Sequence, residues 1–272
     1  MLEETNVAFI GAGVMAEAVI KGLLAKNLVA PARITAADVR PERGRELTER
    51  YAVAFTADNR AAVEGADLIV LSVKPQILPQ ALPSISGRIP KGALVLSIVA
   101  GAKISTLAEG LAHPAVVRSM PNTPAQIGQG MTVWTASASV SDGQRAQARE
   151  LLGALGEQVY VEEEGFLDAA TALSGSGPAY VFLFMEALVE AGVRLGFPPA
   201  VARRLVLQTV KGAADYAKES PLDLASLRTQ VTSPGGTTAA ALEQFEKAGF
   251  REIVSRAVQA AQRRSIELGK GK

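Results

Sequence analysis

Val7-Ala-Phe-Ile-Gly-Ala-Gly-Val-Met-Ala16 is the stretch that decides the fold. Its first four residues form a short apolar run suited to a buried strand. Gly11 ends that run, and a helical stretch from Met15 to Lys26 follows. Gly11, Gly13 and Ala16 fit G-x-G-x-x-A, the strand–turn–helix fingerprint of dinucleotide binding. Gly11 permits the tight turn. Gly13 lets the backbone approach a pyrophosphate with no Cβ in the way, and Ala16 keeps the helix close to the strand. The start of the helix offers free N–H groups and a positive dipole end to phosphates. The rival reading is a glycine turn with no ligand.

Outward from this turn, Arg33 to Asp38 reads as a second strand, Pro41 to Tyr51 as a helix and Val53 to Thr56 as a third strand. Leu68 to Leu71, Ala93 to Ile98 and Ala115 to Ser119 are continuous apolar runs, the pattern of parallel strands covered on both faces. Helices are expected over Ile104–Leu111 and Asp142–Leu155, and closing strands over Met131–Thr135 and Gln158–Val161. Strands alternating with helices predict a doubly wound, Rossmann-like parallel sheet. After Glu162-Glu163-Glu164 the pattern becomes helical throughout, over 166–173, 179–195, 199–218, 222–231, 237–247 and 250–268. The expected domains are therefore 1–164, dinucleotide-binding, and 165–272, all-helical.

Ligands of open α/β sheets bind beyond the carboxyl ends of the strands. Asp38 closes the second strand near the spacing at which an acid meets the adenosine ribose. Alone it favours NAD, because a carboxylate repels a 2′-phosphate; Arg40 and Arg43 lie just beyond and offer that phosphate an alternative. Ser72-Val73-Lys74-Pro75 ends the fourth strand, and Ile98 to Gly101 ends the fifth. Ala100 and Gly101 are small enough for a flat ring to approach the backbone. Lys74 reads either as a cofactor contact or as a surface lysine.

In the helical half, Val231-Thr-Ser-Pro-Gly-Gly-Thr-Thr238 joins two helices and carries more polar chemistry than a turn requires. Ser233, Thr237 and Thr238 supply hydroxyls beside helix-start amides, a receptor for a carboxylate and an adjacent ring nitrogen. Leu173-Ser-Gly-Ser-Gly-Pro178 reads as a second break of this kind. Each also reads as an ordinary helix connector. The helix around Tyr180-Val-Phe-Leu-Phe-Met185 is apolar on nearly every side and must be covered all round, which calls for a partner subunit or, on the rival reading, a central place in a monomeric bundle.

Composition narrows the chemistry. The chain has 272 residues, 48% of them apolar, with a net charge of +1. That balance gives no sign of nucleic-acid binding or a polybasic membrane patch. With no cysteine and one histidine, disulfides, thiolate metal sites and cysteine nucleophiles are excluded, and no metal site is expected. His113, before Pro114, reads as a surface loop residue. The polar start predicts no signal peptide. The apolar stretch Tyr180–Leu188, interrupted by Glu186 and Glu190, reads as too short to span a membrane, so a cytoplasmic protein is expected.

Taken together, the segments resemble the pyrroline-5-carboxylate reductase family. Phe9-Ile-Gly-Ala-Gly13, Ser72-Val-Lys-Pro75, Arg118-Ser-Met-Pro-Asn-Thr-Pro124, Ser174-Gly-Ser-Gly-Pro-Ala-Tyr180 and Ser233-Pro-Gly-Gly-Thr-Thr238 match its motifs in order, across essentially the whole chain. The resemblance implies reduction of 1-pyrroline-5-carboxylate to L-proline by NADPH or NADH, the last step of proline biosynthesis. It implies a homodimer through the helical domain, and often a pentamer of dimers. By motif position it implies a cofactor lining of Ile10, Gly11, Ala12, Gly13, Val14, Met15, Asp38, Asn59, Ser72, Val73, Lys74, Pro75, Ala100 and Gly101. Ser176, Ser233, Gly236, Thr237 and Thr238 would hold the substrate, with Thr238 the polar contact to the imine nitrogen. The chain departs from the family at Asp38-Val39-Arg40, where many members carry Ser or Asn, so cofactor preference stays open.

The chemistry suits these residues. A ketone reductase needs a proton donor for the forming alkoxide, whereas a cyclic imine can be protonated beforehand and then mainly needs positioning. Two alternatives remain. A β-hydroxyacid dehydrogenase would want a helical lysine such as Lys211 or Lys218 as acid and base. A non-catalytic NAD(P)H sensor would have no use for a second polar pocket.

Overall fold

The computed structural model describes residues 2–269, so residues 1 and 270–272 of the expected domain ranges lie outside the described residues. Eight strands form one sheet: β1 Val7–Ile10, β2 Ile34–Ala37, β3 Ala54–Thr56, β4 Leu68–Leu71, β5 Leu94–Ser97, β6 Val116–Met120, β7 Gly130–Ala136 and β8 Gly156–Tyr160. Their order is β3-β2-β1-β4-β5-β6-β7-β8. All pairings are parallel except β6 with β7. The interleaved helices are α1 Val14–Ala25, α2 Pro41–Tyr51, α3 Asn59–Val63, α4 Leu78–Ile85, α5 Ile104–Leu111 and α6 Asp142–Gly153.

Both faces of this sheet are buried, which is why its strands read as continuous apolar runs. Successive side chains alternate sides, so Val7 and Phe9 join one core with Leu23, Leu96 and Trp134, while Ala8 and Ile10 join another with Leu71, Leu82 and Leu107. Helices α3 and α4 were not legible from periodicity. One is five residues long, and the other carries Pro79 and Pro83.

Two expectations are corrected. His113 is not a surface residue: it is 5% exposed, and its Nε2 lies 2.8 Å from the carbonyl of Ala93. Ala112 caps α5 in a left-handed conformation (φ 50°), which turns the chain inward before β6. Nor does Leu173–Pro178 break the helix. Helix α7, Phe166–Ala170, runs through a π-turn at Thr171–Gly175 into α8, Gly177–Arg194. Pro178 has no N–H for the carbonyl four residues back, that of Ser174. The side-chain amide of Asn122 donates to that carbonyl instead, at 3.0 Å. The resulting helical run, 166–194, is long and apolar enough to cross a membrane by length and composition, and Glu186 and Glu190 do not shorten it.

The chain divides into two compact units, one running to Ser176 and including the segment from Ala261, the other Gly177–Ala260. The second unit holds α8, α9 Pro199–Glu219, α10 Leu224–Gln230, α11 Thr237–Lys247 and the greater part of α12, Phe250–Leu268. Gly192 lets α8 approach α9 closely: a Cβ there would lie 3.1 Å from that of Ala202. Among the described residues of this unit only Ala202 is buried. Phe182 is 61% and Leu183 67% exposed within it.

Candidate active site

Strand register builds the first part of the site. Ile10 pairs with both Ala37 and Leu71, and Leu71 pairs with Ser97. The carboxyl ends of β1, β2, β4 and β5 therefore stop level, and Gly11, Asp38, Ser72 and Ile98 leave the sheet side by side. The strand order reverses direction at β1, the crevice where open sheets take ligands.

Short hydrogen bonds fix this edge. Gly11 donates to Ala37 at 2.9 Å, the Ala12 amide donates to Asp38 Oδ2 at 2.9 Å, and the Ser72 hydroxyl donates to the Gly11 carbonyl at 2.7 Å. Gly11 has φ 95°, and a Cβ there would lie 2.8 Å from the Val73 nitrogen, so turn and close approach both require glycine. Gly13 has no atom within 4 Å of where its Cβ would be, and it caps α1 without a side-chain bond. Open space beside unspent helix-start amides is what a pyrophosphate needs, so these residues fit a dinucleotide. Ala16 is fully buried against the sheet.

The remaining predicted cofactor residues fall near this edge with differing commitments. Val14 is exposed and Met15 half-buried at the start of α1; Val73 and Pro75 are half-buried after β4, and Lys74 is exposed. Asn59 opens α3, and its amide donates to the Ser84 hydroxyl at 3.0 Å. Ala100 is half-buried, whereas Gly101 is buried with φ 74°. The space of a Gly101 Cβ is taken by Gly269, whose nitrogen would be 3.1 Å away, so chain packing also requires a glycine here.

Two acids at this edge are strongly engaged. Burial alone would raise the Asp38 carboxyl, but the hydrogen bonds from Arg40 and the Ala12 amide outweigh it and hold the group below the usual carboxylate value. Burial likewise works against ionised Glu17, yet Arg43, Tyr51 and Arg50 together hold its carboxyl low.

Asn122 is the residue that sequence reasoning passed over. Its amide nitrogen serves the π-turn, and its Oδ1 accepts the Met131 amide at 2.9 Å, so it ties the Arg118–Pro124 segment to the bulge below Ser176. The signal was in the sequence, since a proline in a helix orphans a carbonyl four residues earlier. Ser176 itself is half-buried, and its amide closes the π-turn on the Thr171 carbonyl at 2.7 Å.

Within the second unit, Gly236 caps α11 and its amide donates to the Ser233 carbonyl at 3.0 Å. A Cβ on Gly236 would lie 2.4 Å from the Ser233 hydroxyl oxygen, so only glycine lets the turn close with that hydroxyl in place. No side chain caps α11. Thr237 and Thr238 therefore bring hydroxyls to a helix start whose amides are unspent. Lys211, the lysine a hydroxyacid dehydrogenase would need, lies exposed on α9; its bond to Asp215 raises its pKa, the reverse of what a base requires. Among the described residues no cluster of three or more His, Asp or Glu side chains converges.

A glycine turn at a topological switch point, followed by a helical unit with a hydroxyl-rich turn at an uncapped helix start, fits a nicotinamide-dinucleotide oxidoreductase. Two family models match. Residues 6–101 match NADP oxidoreductase, coenzyme F420-dependent, and residues 164–268 match pyrroline-5-carboxylate reductase dimerisation. A pyrroline-5-carboxylate reductase of Pseudomonas aeruginosa is 44% identical over 97% of this chain and 96% of its own length. One from a Synechocystis species is 43% identical over 97% and 98%. The crystal structure of a Plasmodium falciparum pyrroline carboxylate reductase with NADP bound superimposes with TM-score 0.90 at 30% identity, over 99% of this chain and 100% of that one. The chain belongs to the pyrroline-5-carboxylate reductase family. The dimerisation match spans the exposed apolar helices and supports self-association.

Proposed function

We propose that this chain reduces the C=N bond of 1-pyrroline-5-carboxylate to give L-proline, the last step of proline biosynthesis, with NADPH or NADH as reductant. It works in the cytoplasm as a homodimer or a pentamer of dimers. When bound, the dinucleotide supplies a hydride. Ile10 to Met15 hold its pyrophosphate, with the loop at Asp38 beside the adenosine ribose and Asn59, Ser72 to Pro75, Ala100 and Gly101 along the remainder. Ser176, Ser233, Gly236 and Thr237 receive the substrate carboxylate, and the Thr238 hydroxyl orients the ring nitrogen without needing to titrate.

The observation that carries this reading is the Ser233–Thr238 turn. Its glycine is compelled by the Ser233 hydroxyl, and it opens a helix that no side chain caps. An anionic substrate supplies the missing cap. An imine that arrives protonated explains why hydroxyls and amides suffice. The test is to mix the protein with pyrroline-5-carboxylate and follow oxidation of NADH and NADPH separately. Turnover with neither would end this proposal.

A further inference from the structure

We infer that in this chain Asp38 is not the receptor of the adenosine ribose but a clamp that presents Arg40 to the 2′-phosphate of NADPH. The inference rests on the dinucleotide reading above and deepens it.

Asp38 has only 10% of its side chain exposed, and four donors converge on it. The Ala12 amide reaches Oδ2 at 2.9 Å and the Arg40 amide reaches Oδ1 at 3.1 Å. Arg40 Nε reaches Oδ1 at 2.9 Å and Nη2 reaches Oδ2 at 3.0 Å. A carboxylate offers about four acceptor sites, so this one is saturated. The ribose hydroxyls of NADH would have to donate to it, and no lone pair is free while Arg40 stays.

Arg40, by contrast, spends one edge of its fork. Nη1 and the second hydrogen of Nη2 remain on a guanidinium that is 50% exposed. Its positive charge answers that of Asp38, which removes the repulsion a lone carboxylate would exert on a phosphate. A planar fork held from behind keeps its outer donors aimed, and phosphate is the anion such a fork binds well.

Arg43, the other arginine near the second strand, is committed elsewhere. Its Nε donates to the Ala12 carbonyl at 3.0 Å, Nη2 pairs with Glu17 at 2.8 Å, and Nη1 pairs with Glu46. Its side chain is only 15% exposed. It braces the glycine turn through three of its five N–H bonds and is largely buried, so the half-exposed Arg40 is the arginine placed to answer the phosphate. The acid in this loop, which by itself argues for NADH, thus argues for NADPH once its partners are known.

Isothermal titration with ADP-ribose and 2′-phospho-ADP-ribose tests this without turnover. The wild-type protein should bind the phosphorylated ligand more tightly. Arg40→Ala should weaken that ligand at least about tenfold, the loss of a charge-assisted phosphate contact, while ADP-ribose holds or gains because Asp38 is released to meet its hydroxyls. Asp38→Asn should change ADP-ribose by less than about threefold, short of one lost charged hydrogen bond. Tighter wild-type binding of ADP-ribose, an affinity ratio that Arg40→Ala leaves in place, or a tenfold loss of ADP-ribose in Asp38→Asn would each overturn the inference. Failure of both ligands to bind the wild type would instead sink the dinucleotide reading beneath it.

Discussion

Replacing Gly236 by alanine separates catalysis from folding unusually well. The backbone there is extended, with φ −79° and ψ 171°, so alanine meets no conformational bar. The cost to the helix is that of alanine for glycine at an N-cap, about 0.5–1 kcal/mol. The new Cβ would lie 2.4 Å from the Ser233 hydroxyl oxygen and 3.2 Å from its carbonyl oxygen. The hydroxyl must retreat by roughly 1 Å to reach ordinary contact, which takes it out of hydrogen-bond range of anything it was holding. A hydrogen bond to a charged group contributes about 1.5–3 kcal/mol, so kcat/KM should fall roughly 10- to 150-fold. Because the lost contact is with the imino acid, the loss should appear when pyrroline-5-carboxylate is varied at saturating dinucleotide, and not in the reverse experiment. Ser233→Ala should produce a similar loss, and the double variant should be little worse than either, since both remove one interaction. A Gly236→Ala enzyme within about twofold of wild type, or one impaired chiefly toward the dinucleotide, would refute the assignment of this turn to the substrate.

Gly13→Ala should leave the melting temperature nearly unchanged, because the added methyl enters open space, while dinucleotide affinity measured by titration falls at least about tenfold. Thr238→Ala should lower turnover by about one to two orders of magnitude, and full activity in that variant would remove the hydroxyl from the mechanism. Light scattering at micromolar concentration should give a dimer or a larger assembly; a monomer would leave the apolar helices unexplained. Asp38 and Glu17 have lowered carboxyl pKa values in the fold, so their stabilisation is complete above the unfolded-state values and is lost as pH falls through the folded ones. An Asp38→Asn, Glu17→Gln double variant should therefore lose less stability than wild type between about pH 5 and pH 3 in thermal melts, and parallel curves would show that these pairs contribute nothing.

The residues that read correctly from the sequence are those whose role is set by the chain on either side of them. Gly11 is compelled by its own φ and by the first strand's neighbour, and the apolar runs of β1, β4 and β5 announce their two-sided burial. What escaped reading depends on partners far along the chain. His113 looks like a loop histidine until Ala93, twenty residues earlier, turns out to accept its ring nitrogen. The Gly-Ser-Gly-Pro segment looks like a helix breaker because its repair comes from Asn122, 52 residues earlier. Gly101 reads from the sequence only as a small residue, and its second reason to be glycine, contact with Gly269, lies far along the chain. Asp38 follows the second strand as read, but its pairing with an arginine two residues on depends on an orientation that no spacing reveals.

The two units also differ in what their sequences can specify alone. The first has apolar cores on both faces of its sheet, so its register, and with it the alignment of Gly11, Asp38 and Ser72, is fixed within one chain. The second buries Ala202 and almost nothing else, while Phe182, Leu183 and their neighbours face outward. Helical propensity forms its elements, but helices of this length draw most of their stability from an apolar face packed on something. The dimerisation match over 164–268 supports a second copy in that place. The turn at Ser233–Thr238 belongs to this dependent unit, so the proposed grip on the substrate is only as firm as the association that completes the unit's core. If the proposed site is right, self-association is thus a condition for the geometry of catalysis as well as for stability.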